Sequence, residues 1–584
     1  MNCLRIAALG PLAAAALAGC LLATKGTGLV GSGPGGGSAA SSGDTGTGTG
    51  TTTGATTTGA GVSSSGSMPC TPGTMVPCYT GPAGTEGVGP CHGGMLSCLA
   101  DGSGYSTMCQ NEITPEPDNC AAKLNSECVQ LETACTGATA GGRAWGEPGN
   151  DRALGVAIDS QGNTLVGGLF HPPLDFGSGA PVYGADASAD AFVAKYDVSG
   201  ALVWLAQLGD TGDDQATAIA VDKNDDVLVV GSFTHQITFS STNTASGPGI
   251  FVAKLSKTDG HPLWGNGYRG DTTGLHLPQA VAVSQDGATV AVAGYTQGQL
   301  TIGGTGVPTA GDLDGFLFTL DGNGTQIGWV RQIRDGGGGY QTLSGVAIDA
   351  DGSVVVTGTG ENSVDFGDGP VTAHGNGRNV AVARYPANGG PPTWSLLVGD
   401  NGNNQYGFGV ALGAGGDVFL TGTFQQHLAF PMLDVRTPGN TPNNTNALFV
   451  ARLDKTGKGV WGAAFTPPND ASGQSVAVDG SGVVVGGYFS DQITVGTTQF
   501  LSKGGKDALA FKLSADKGDV LWAREFGGVN DDIINAVAID PRSRDPLGAS
   551  VVAGQFGGIV DVGGGPPGVV AQGMADIFFA RLAP

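Results

Sequence analysis

The side chains best suited to chemistry in this sequence are histidines and aspartates that recur between short hydrophobic segments. Three of the seven histidines, His171, His235 and His427, follow runs rich in β-branched residues. Imidazole groups that meet in space bind metals or transfer protons. These three lie in widely separated segments, so we interpret them as isolated loop histidines.

Aspartates recur in a second kind of segment, just before another short hydrophobic run. Grouped carboxylates bind Ca²⁺, since hard cations take oxygen ligands; alternatively, aspartates cap turns and keep loops soluble. No segment has the full ligand spacing of a calcium-binding loop, so we favour turn capping and expect no cofactor, with Ca²⁺ as the alternative. The residues are Asp151, Asp213, Asp214, Asp271, Asp400, Asp470, Asp531 and Asp532.

Sequence signatures of catalysis are missing. The chain has no H-E-x-x-H, G-x-S-x-G or G-x-x-x-x-G-K-[ST] motif, which mark zinc peptidases, serine hydrolases and phosphate-binding loops. We therefore assign no catalytic, cofactor-binding or metal-binding residue and predict a protein that is not an enzyme. Its 50 acidic and 26 basic side chains give a net charge of −24. Nucleic acid is thus disfavoured as a partner, because phosphates require clustered Lys and Arg.

An internal repeat must position these residues. The seven tryptophans recur at intervals of 59, 60, 65, 65, 67 and 61 residues. Each unit holds four short β-strand segments separated by turns of Gly, Asn and Asp. Seven such units predict an all-β fold, a seven-bladed β-propeller over residues 143–584. We expect one structural tryptophan on the fourth strand of each blade: Trp145, Trp204, Trp264, Trp329, Trp394, Trp461 and Trp522.

The order of the segments predicts how the ring closes. The repeat begins on a fourth strand around Trp145 and stops after a third strand, at Pro584. We predict that the Trp145 segment completes the last blade and removes a free sheet edge. First-to-second and third-to-fourth connections are short and define a short-turn face. The other connections define a long-loop face, where we expect an unknown protein or polysaccharide to bind.

Charged residues recur at fixed strand positions. We predict structural ion pairs between third strands and the ends of first strands; the alternative is a charged ring that grips an anion in the channel. The third blade lacks both partners, having Thr319 and Ser284, and in the fifth blade Arg452 lies beside Gly413. The basic residues are Lys195, Lys254, Arg384, Arg452, Lys512 and Arg581, and the aspartates are Asp159, Asp222, Asp349, Asp479 and Asp540.

The segment GDTGDDQATAIAVDKNDDVLVVGSF at 209–233 resembles the SBBP-type β-propeller repeats of bacterial surface and secreted proteins. The resemblance extends over roughly residues 143–584 and implies the fold, but no defined catalytic residue. A weaker resemblance, at RLDKTGKGVW (452–461), is to the tryptophan-docking repeat of quinoprotein dehydrogenases and of the propeller lipoprotein of outer-membrane assembly.

The N-terminus predicts export. Residues 1–19 have Arg5 followed by an apolar stretch too short to span a bilayer. Leu17-Ala18-Gly19-Cys20 resembles a bacterial lipobox, which implies lipidation of Cys20 and a membrane anchor; the alternative is an ordinary signal peptide. Residues 20–68 are a Gly/Ser/Thr-rich linker of a composition that cannot bury a core. Leu21 gives no inner-membrane retention signal, so we prefer the outer membrane.

Eight cysteines fall in residues 69–136, which we predict to be a disulfide-stabilised module because an even count is typical of small exported domains. No C-x2-C pair supports a metal site. The segment 78–91 resembles cysteine-rich modules of myxobacterial surface proteins. The residues are Cys70, Cys78, Cys91, Cys98, Cys109, Cys120, Cys128 and Cys135.

Together these features predict an exported, lipid-anchored propeller that acts as a non-catalytic binding or scaffold module. Two alternatives remain open. One is an enzyme with its site at the channel mouth on the long-loop face, and the other is an envelope-assembly lipoprotein.

Overall fold

The computed structural model describes residues 70–78, 94–101, 103, 105, 106, 109 and 139–583. The last range has gaps at 273, 308–311, 336–337, 374, 376, 401, 440, 481, 541–548 and 563–568. The predicted signal peptide, Cys20 and the linker lie outside the described residues. So do Cys91, Cys120, Cys128 and Cys135.

Residues 139–583 form seven four-stranded antiparallel sheets, which confirms the predicted seven-bladed propeller. Blades 1 to 3 follow in chain order. Their strands, first to fourth, are Arg152–Ile158, Thr164–Phe170, Asp190–Tyr196 and Leu202–Leu208; Gln215–Val221, Val227–Phe233, Gly249–Leu255 and Pro262–Arg269; and His276–Val283, Thr289–Thr296, Asp314–Asp321 and Ile327–Ile333.

Blades 4 to 7 repeat the same strand order, and the fourth strand of blade 7 comes from the start of the repeat region. Their strands are Gln341–Ile348, Val354–Gly360, Asn379–Tyr385 and Trp394–Val398; Tyr406–Leu412, Val418–Phe424, Ala447–Leu453 and Gly459–Phe465; Ala471–Asp479, Gly482–Val495, Thr498–Leu513 and Val520–Phe526; and Ile533–Ile539, Ser550–Phe556, Asp576–Leu582 and Thr139–Trp145.

The ring closes as predicted. Thr139–Trp145 pairs antiparallel with Asp576–Leu582 and so supplies the outer strand of blade 7. Trp145 lies opposite Ile577, whereas Gly141 lies opposite Arg581. In blade 1 the residue opposite the basic side chain is itself the tryptophan, because Trp204 faces Lys195. Trp145 is therefore displaced four residues along its strand from the position that the other tryptophans occupy.

The core consists of seven apolar clusters, one in each seam between neighbouring blades. Each cluster contains one of the seven tryptophans, including Trp145. The second and third strands are packed on both faces, so their sequences are almost continuous apolar runs. The strand Gly249–Leu255, for example, is buried throughout. Each seam thus has one indole ring packed in or against its apolar cluster.

Several second strands carry a glycine two residues before their end, where another main chain passes very close. A Cβ added at Gly168, Gly231 or Gly358 would overlap a carbonyl oxygen of the adjacent first strand. Glycine at these positions thus allows the first and second strands of a blade to lie close together.

The second-to-third connections are more ordered than the sequence suggested. Most contain a small hairpin that packs against fourth strands rather than standing free on the long-loop face. In blade 5, for example, Leu433 and Val435 lie directly against Gly459 and Gly462. The hairpin strands are Gln236–Ser240 with Asn243–Ser246, Leu300–Ile302 with Thr305–Val307, Ser363–Asp365 with Pro370–Thr372, His427–Phe430 with Leu433–Arg436, and Ile559–Val560 with Val569–Val570. In blade 6 the two long middle strands extend into the hairpin.

The cysteine-rich region contains a hairpin, Met75–Cys78 with Gly94–Ser97. Disulfides join Cys70 to Cys98 and Cys78 to Cys109, with Cα atoms 5.9 and 5.8 Å apart. These pairs confirm the disulfide prediction for four of the eight cysteines. Among the residues that the structure describes, no helix has the length and apolarity needed to cross a membrane.

Candidate functional sites at the two ends of the blade seams

The short-turn end of a seam is built around a buried cation. Lys195 on the third strand of blade 1 lies 2.9 Å from Asp159, which ends the first strand of the same blade. The Lys195 ammonium also donates to the carbonyl of Lys257 in blade 2, at 3.0 Å. One side chain thus neutralises its own blade's carboxylate and contacts the next blade.

The tryptophan of the same blade uses the same acceptor. Trp204 Nε1 donates to the Lys257 carbonyl at 2.9 Å, and its ring lies on Gly260 in the same turn. Blades 5 and 6 repeat this arrangement: Arg452 and Trp461 both donate to the Ala515 carbonyl, at 2.8 and 3.0 Å. A cation and an indole from one blade therefore bind a single carbonyl of the next, which holds the two blades in register.

The predicted ion pairs are confirmed in four blades. Besides Lys195–Asp159, the structure pairs Lys254 with Asp222 at 2.5 Å, Arg384 with Asp349, and Arg581 with Asp540 at 3.5 Å. Burial alone disfavours the charged form of Asp159, but hydrogen bonds from Lys195 and Asn163 outweigh it and lower its pKa. These contacts favour structural ion pairs over a ring that grips an anion.

Blades 3 and 5, which lack the aspartate at the end of the first strand, make other polar contacts in its place. In blade 5, where Gly413 replaces the aspartate, Arg452 binds Asp417 at 2.5 Å, a residue four positions further along the chain. In blade 3, Thr319 accepts a hydrogen bond from the Trp329 amide at 3.3 Å, and Ser284 bonds Asp286. A purely polar contact thus replaces the ion pair in blade 3.

At the long-loop end of the seams, aspartates accept main-chain N–H groups. Asp214 accepts from the amides of Asp210 and Thr234, and Asp532 accepts from those of Gly528 and Gly557. Asp151 makes the equivalent pair of bonds, to Glu147 and His171. Turn capping, the favoured interpretation of these aspartates, is confirmed at these three positions.

Each of these capping aspartates has a second buried carboxylate as its neighbour across the seam. The amide of Asp214 bonds the carbonyl of Ala189, the residue before Asp190, and the amide of Asp532 bonds that of Lys506, before Asp507. All four carboxylates are buried. Asp151 meets Asp576 in the same way, since its amide bonds the carbonyl of Ala575.

Burial and repulsion between neighbouring carboxylates raise the pKa values of these carboxyl groups strongly. Desolvation, with smaller contributions from neighbouring carboxylates, raises the pKa of Asp190 to about 6 and that of Asp214 to about 7. The same causes raise the pKa of Asp507 to about 6 and that of Asp532 to about 7. Two acids that share a buried site cannot both ionise without compensation. The long-loop ends of these seams therefore favour a bound proton or a cation.

The seam between blades 4 and 5 has amides in the corresponding places. Asn379 begins a third strand, as Asp190 does. The main-chain N–H of Gln405 donates to the Arg378 carbonyl, just as the main-chain N–H of Asp214 donates to the Ala189 carbonyl. Both side chains are fully buried, and their oxygens have no hydrogen-bond partner among the described residues. Both oxygens converge beside Gly399. In this seam the converging oxygens belong to neutral amides, and the nearby Asp400 carboxylate accepts from the Gln405 and Asn403 side chains.

The three loop histidines have separate local partners. His171 lies 3.6 Å from Asp151, which raises its pKa through a hydrogen bond. His235 contacts the Thr211 carbonyl at 2.8 Å, and His427 contacts Asp434 at 3.1 Å. No group of three or more His, Cys, Asp or Glu side chains that could hold a metal is found in the described part of the chain. The interpretation as isolated histidines is consistent with these contacts.

Exposed apolar side chains gather around the second-to-third connection of blade 7. Val529 and Met574 are 71% and 76% exposed. Val529 contacts Gly558, and Ile559 pairs with Val570 in the small hairpin. Val569 is also exposed. We call Val529, Ile559, Val569, Val570 and Met574 the blade 7 apolar patch.

Comparisons with known proteins agree with the repeat analysis. A family model described as SBBP, β-propeller repeat, matches residues 203–232, inside the region where the sequence resembles that repeat. The chain is also similar to the "Uncharacterized WD repeat-containing protein L264" of Acanthamoeba polyphaga mimivirus, with 23% identity over 506 residues. The match covers 70% of this chain and 35% of that protein, so the chain spans about a third of the relative's length.

Several solved structures are similar at low identity. The WD40 repeats of RRP9 align with a TM-score of 0.40 at 9% identity, covering 76% of this chain and 99% of that one. A europium-containing methanol dehydrogenase aligns with a TM-score of 0.36 at 11% identity, covering 75% and 91%. A polysaccharide lyase of family PL25, an ulvan lyase, aligns with a TM-score of 0.35 at 10% identity, covering 70% and 93%.

Two structural features were not predicted from the sequence. One is the set of facing carboxylates, because Asp190, Asp507 and Asp576 were not singled out. The other is an apolar pair at positions i and i+2 in every second-to-third connection, which fills the seam with the preceding blade. A search for that alternation would have found it. The pairs are Leu174/Phe176, Ile237/Phe239, Leu300/Ile302, Val364/Phe366, Leu428/Phe430, Ile493/Val495 and Val560/Val562.

Proposed function

We propose that this protein is a non-catalytic binding or scaffold propeller of the cell envelope, and that it captures a protein partner through the blade 7 apolar patch. The observation that carries this proposal is the clustering of exposed apolar side chains at one sector of the ring. Contiguous apolar surface that faces water is typical of interaction sites in soluble domains.

The chemistry of the patch favours protein over polysaccharide. Its members are aliphatic or thioether side chains, and methionine adapts well to irregular protein surfaces. Sugar rings, by contrast, pack best on flat aromatic faces. The acidic surface of the chain, with a net charge of −24, favours a partner with basic residues around its own apolar contact surface.

Affinity capture with the full-length chain tests this proposal. We expect the chain to retain an envelope protein, and the triple substitution Val529→Ser, Ile559→Ser and Met574→Ser to reduce retention at least tenfold. The matched control is Val198→Ser, because Val198 is exposed in a short third-to-fourth turn. Equal retention by the triple variant, or binding only to a glycan array, would contradict it.

We also propose that the chain is exported and anchored through a lipid on Cys20, with the outer membrane as its destination. The lipobox-like sequence before Cys20 supports the anchor. The two disulfides support export, because such bonds persist in oxidising compartments. A Cys20→Ala chain should move from the membrane fraction to the soluble fraction and lose metabolic labelling by palmitate; unchanged fractionation would argue against the anchor.

A further inference from the structure

The seams between blades 1 and 2 and between blades 6 and 7 share a geometry that the rest of the long-loop face does not explain. In each seam, a carboxylate on a third strand, Asp190 or Asp507, faces one that precedes the next first strand, Asp214 or Asp532. In each seam, one of the facing oxygens has no hydrogen-bond partner among the described residues: Oδ1 of Asp190 and Oδ1 of Asp507. A fully buried carboxylate oxygen without a donor is costly unless something else binds it.

Glycine leaves room between these oxygens. In the seam between blades 6 and 7, the Cβ position at Gly527 would lie 2.7 Å from Asp532 Oδ2 and 3.2 Å from Asp507 Oδ1. The two oxygens are therefore within about 6 Å of each other, a separation that one ion with metal–oxygen distances of about 2.3–2.6 Å can bridge. In the seam between blades 1 and 2, Gly209 stands in the same place beside Asp214 Oδ2.

The two neighbouring lysines form their salt bridges with other carboxylates, not with the blade 6/7 pair. Lys503 Nζ binds Glu525 at 2.8 Å. Lys506 Nζ lies over the Tyr488 ring and 3.8 Å from Asp470. At the short-turn end, by contrast, Asp159, Asp222, Asp349 and Asp540 each pair with a Lys or Arg.

We propose that each of these two seams binds one Ca²⁺ ion, between Asp190 and Asp214 in one and between Asp507 and Asp532 in the other. The donors are oxygens only, which suits a hard cation rather than zinc or copper. Two carboxylates neutralise one divalent ion, and main-chain carbonyls or water complete its coordination. Calcium accepts such irregular oxygen shells, whereas Mg²⁺ demands near-octahedral geometry.

The other seams give internal comparisons. Between blades 7 and 1, Asp151 also faces a buried carboxylate, Asp576, but both Asp576 oxygens already accept main-chain N–H groups, those of Gln572 and Gly573, so we assign no ion to that seam. Between blades 4 and 5, the amide oxygens of Asn379 and Gln405 converge beside Gly399 in the same position, but without charge they hold a cation weakly. Between blades 5 and 6 the corresponding residues are Ala447 and Ala471. At equivalent positions the seams therefore carry a pair of carboxylates, a pair of amides or a pair of alanines.

Calcium titration of the full-length chain, first stripped with a chelator, tests the proposal. Calorimetry should give two bound Ca²⁺ per chain, and about 10 mM CaCl₂ should raise the thermal unfolding midpoint by about 3–6 °C, given the affinities of about 10⁻⁴–10⁻³ M typical of extracellular calcium modules. Asp190→Asn and Asp507→Asn should each remove one site and about half of the shift, and the double variant should remove both.

The control variant is Asp259→Asn, an exposed aspartate in a short third-to-fourth turn, which should keep both sites and the full shift. An equal shift in MgCl₂ or in NaCl of the same ionic strength would mean general screening of an acidic surface and would overturn the proposal. So would the absence of calcium binding by the wild-type chain, or full calcium stabilisation in the double variant.

Discussion

The two ends of a blade seam treat buried carboxylates in opposite ways. At the short-turn end, Asp159 faces Lys195, and the cation continues into the next blade to bind a carbonyl that the tryptophan also binds. At the long-loop end, Asp214 faces Asp190, and Asp532 faces Asp507, each pair sharing a buried space. The first arrangement is complete within the protein. The second requires a proton or a cation from outside.

The buried carboxylates at the two ends of a seam also differ in how they depend on solution conditions. An ion pair closed within the fold fixes the register of two blades and changes little with solution conditions. A pair of like charges makes the local free energy depend on pH and on dissolved cations. Such pairs lie at the long-loop end, and the one between blades 6 and 7 is beside the sector that carries the blade 7 apolar patch.

The largest expected effect follows from breaking a completed pair. Lys195→Met leaves Asp159 buried without its counter-charge, so we expect a loss of about 3–5 kcal/mol in unfolding free energy. The measurement is the shift in thermal midpoint relative to Lys223→Met, an exposed lysine. Adding Asp159→Asn should restore part of the loss; an unchanged midpoint in the single variant would show that the pair does not hold the seam.

A smaller effect is expected from pH at the other end. The folded pKa values of about 6 to 7 for Asp190, Asp214, Asp507 and Asp532 lie above the unfolded value of about 3.9. The folded state therefore holds more protons between these values, and stability falls as the pH rises from about 4 to about 8. In chelator, we expect each pair to contribute a decline of roughly 3 kcal/mol, the size of one two-unit pKa shift.

The matched variant sharpens this test. Asp190→Asn with Asp507→Asn removes two of the four raised carboxyl groups and their repulsion of Asp214 and Asp532, so stability in chelator should fall clearly less over the same pH range; burial of the remaining two aspartates keeps part of the slope. A wild-type chain whose stability rises with pH in this window would contradict the assignment of like-charge pairs.

Sequence patterns sufficed for the ring because its determinants are local. Turn residues and alternating β-branched positions mark each strand, and the order of segments shows that the Trp145 strand must join the last blade. The Lys195–Asp159 pairing was also predictable, because both residues recur at fixed strand positions.

The missed features depend on contacts between residues that are distant in the sequence. Asp507 and Asp532 look like ordinary loop residues until the main-chain bond from Asp532 to Lys506 places them together. Asp417 replaces the absent partner in blade 5 from a different turn position. The displacement of Trp145 depends on the register of a pairing between the two ends of the repeat region, which local pattern does not specify.

The smallest predicted effect separates two kinds of seam tryptophan. Trp204 and Trp522 are almost equally buried, but Trp204 Nε1 binds the Lys257 carbonyl whereas Trp522 Nε1 has no partner among the described residues. Trp204→Phe should therefore cost about 0.5–1.5 kcal/mol more than Trp522→Phe. Equal midpoints for the two variants would show that the shared carbonyl contributes nothing beyond packing.

Closure of the ring by the Trp145 strand underlies every seam described above, and hydrogen exchange measures it directly. The amides of Thr139–Trp145 that pair with Asp576–Leu582 should exchange as slowly as those of the fourth strands Leu202–Leu208 and Val520–Phe526, because each belongs to a four-stranded blade. Exchange of Thr139–Trp145 at the rate of an unstructured peptide, with the fourth strands of blades 1 and 6 still protected, would contradict a closed seven-bladed ring.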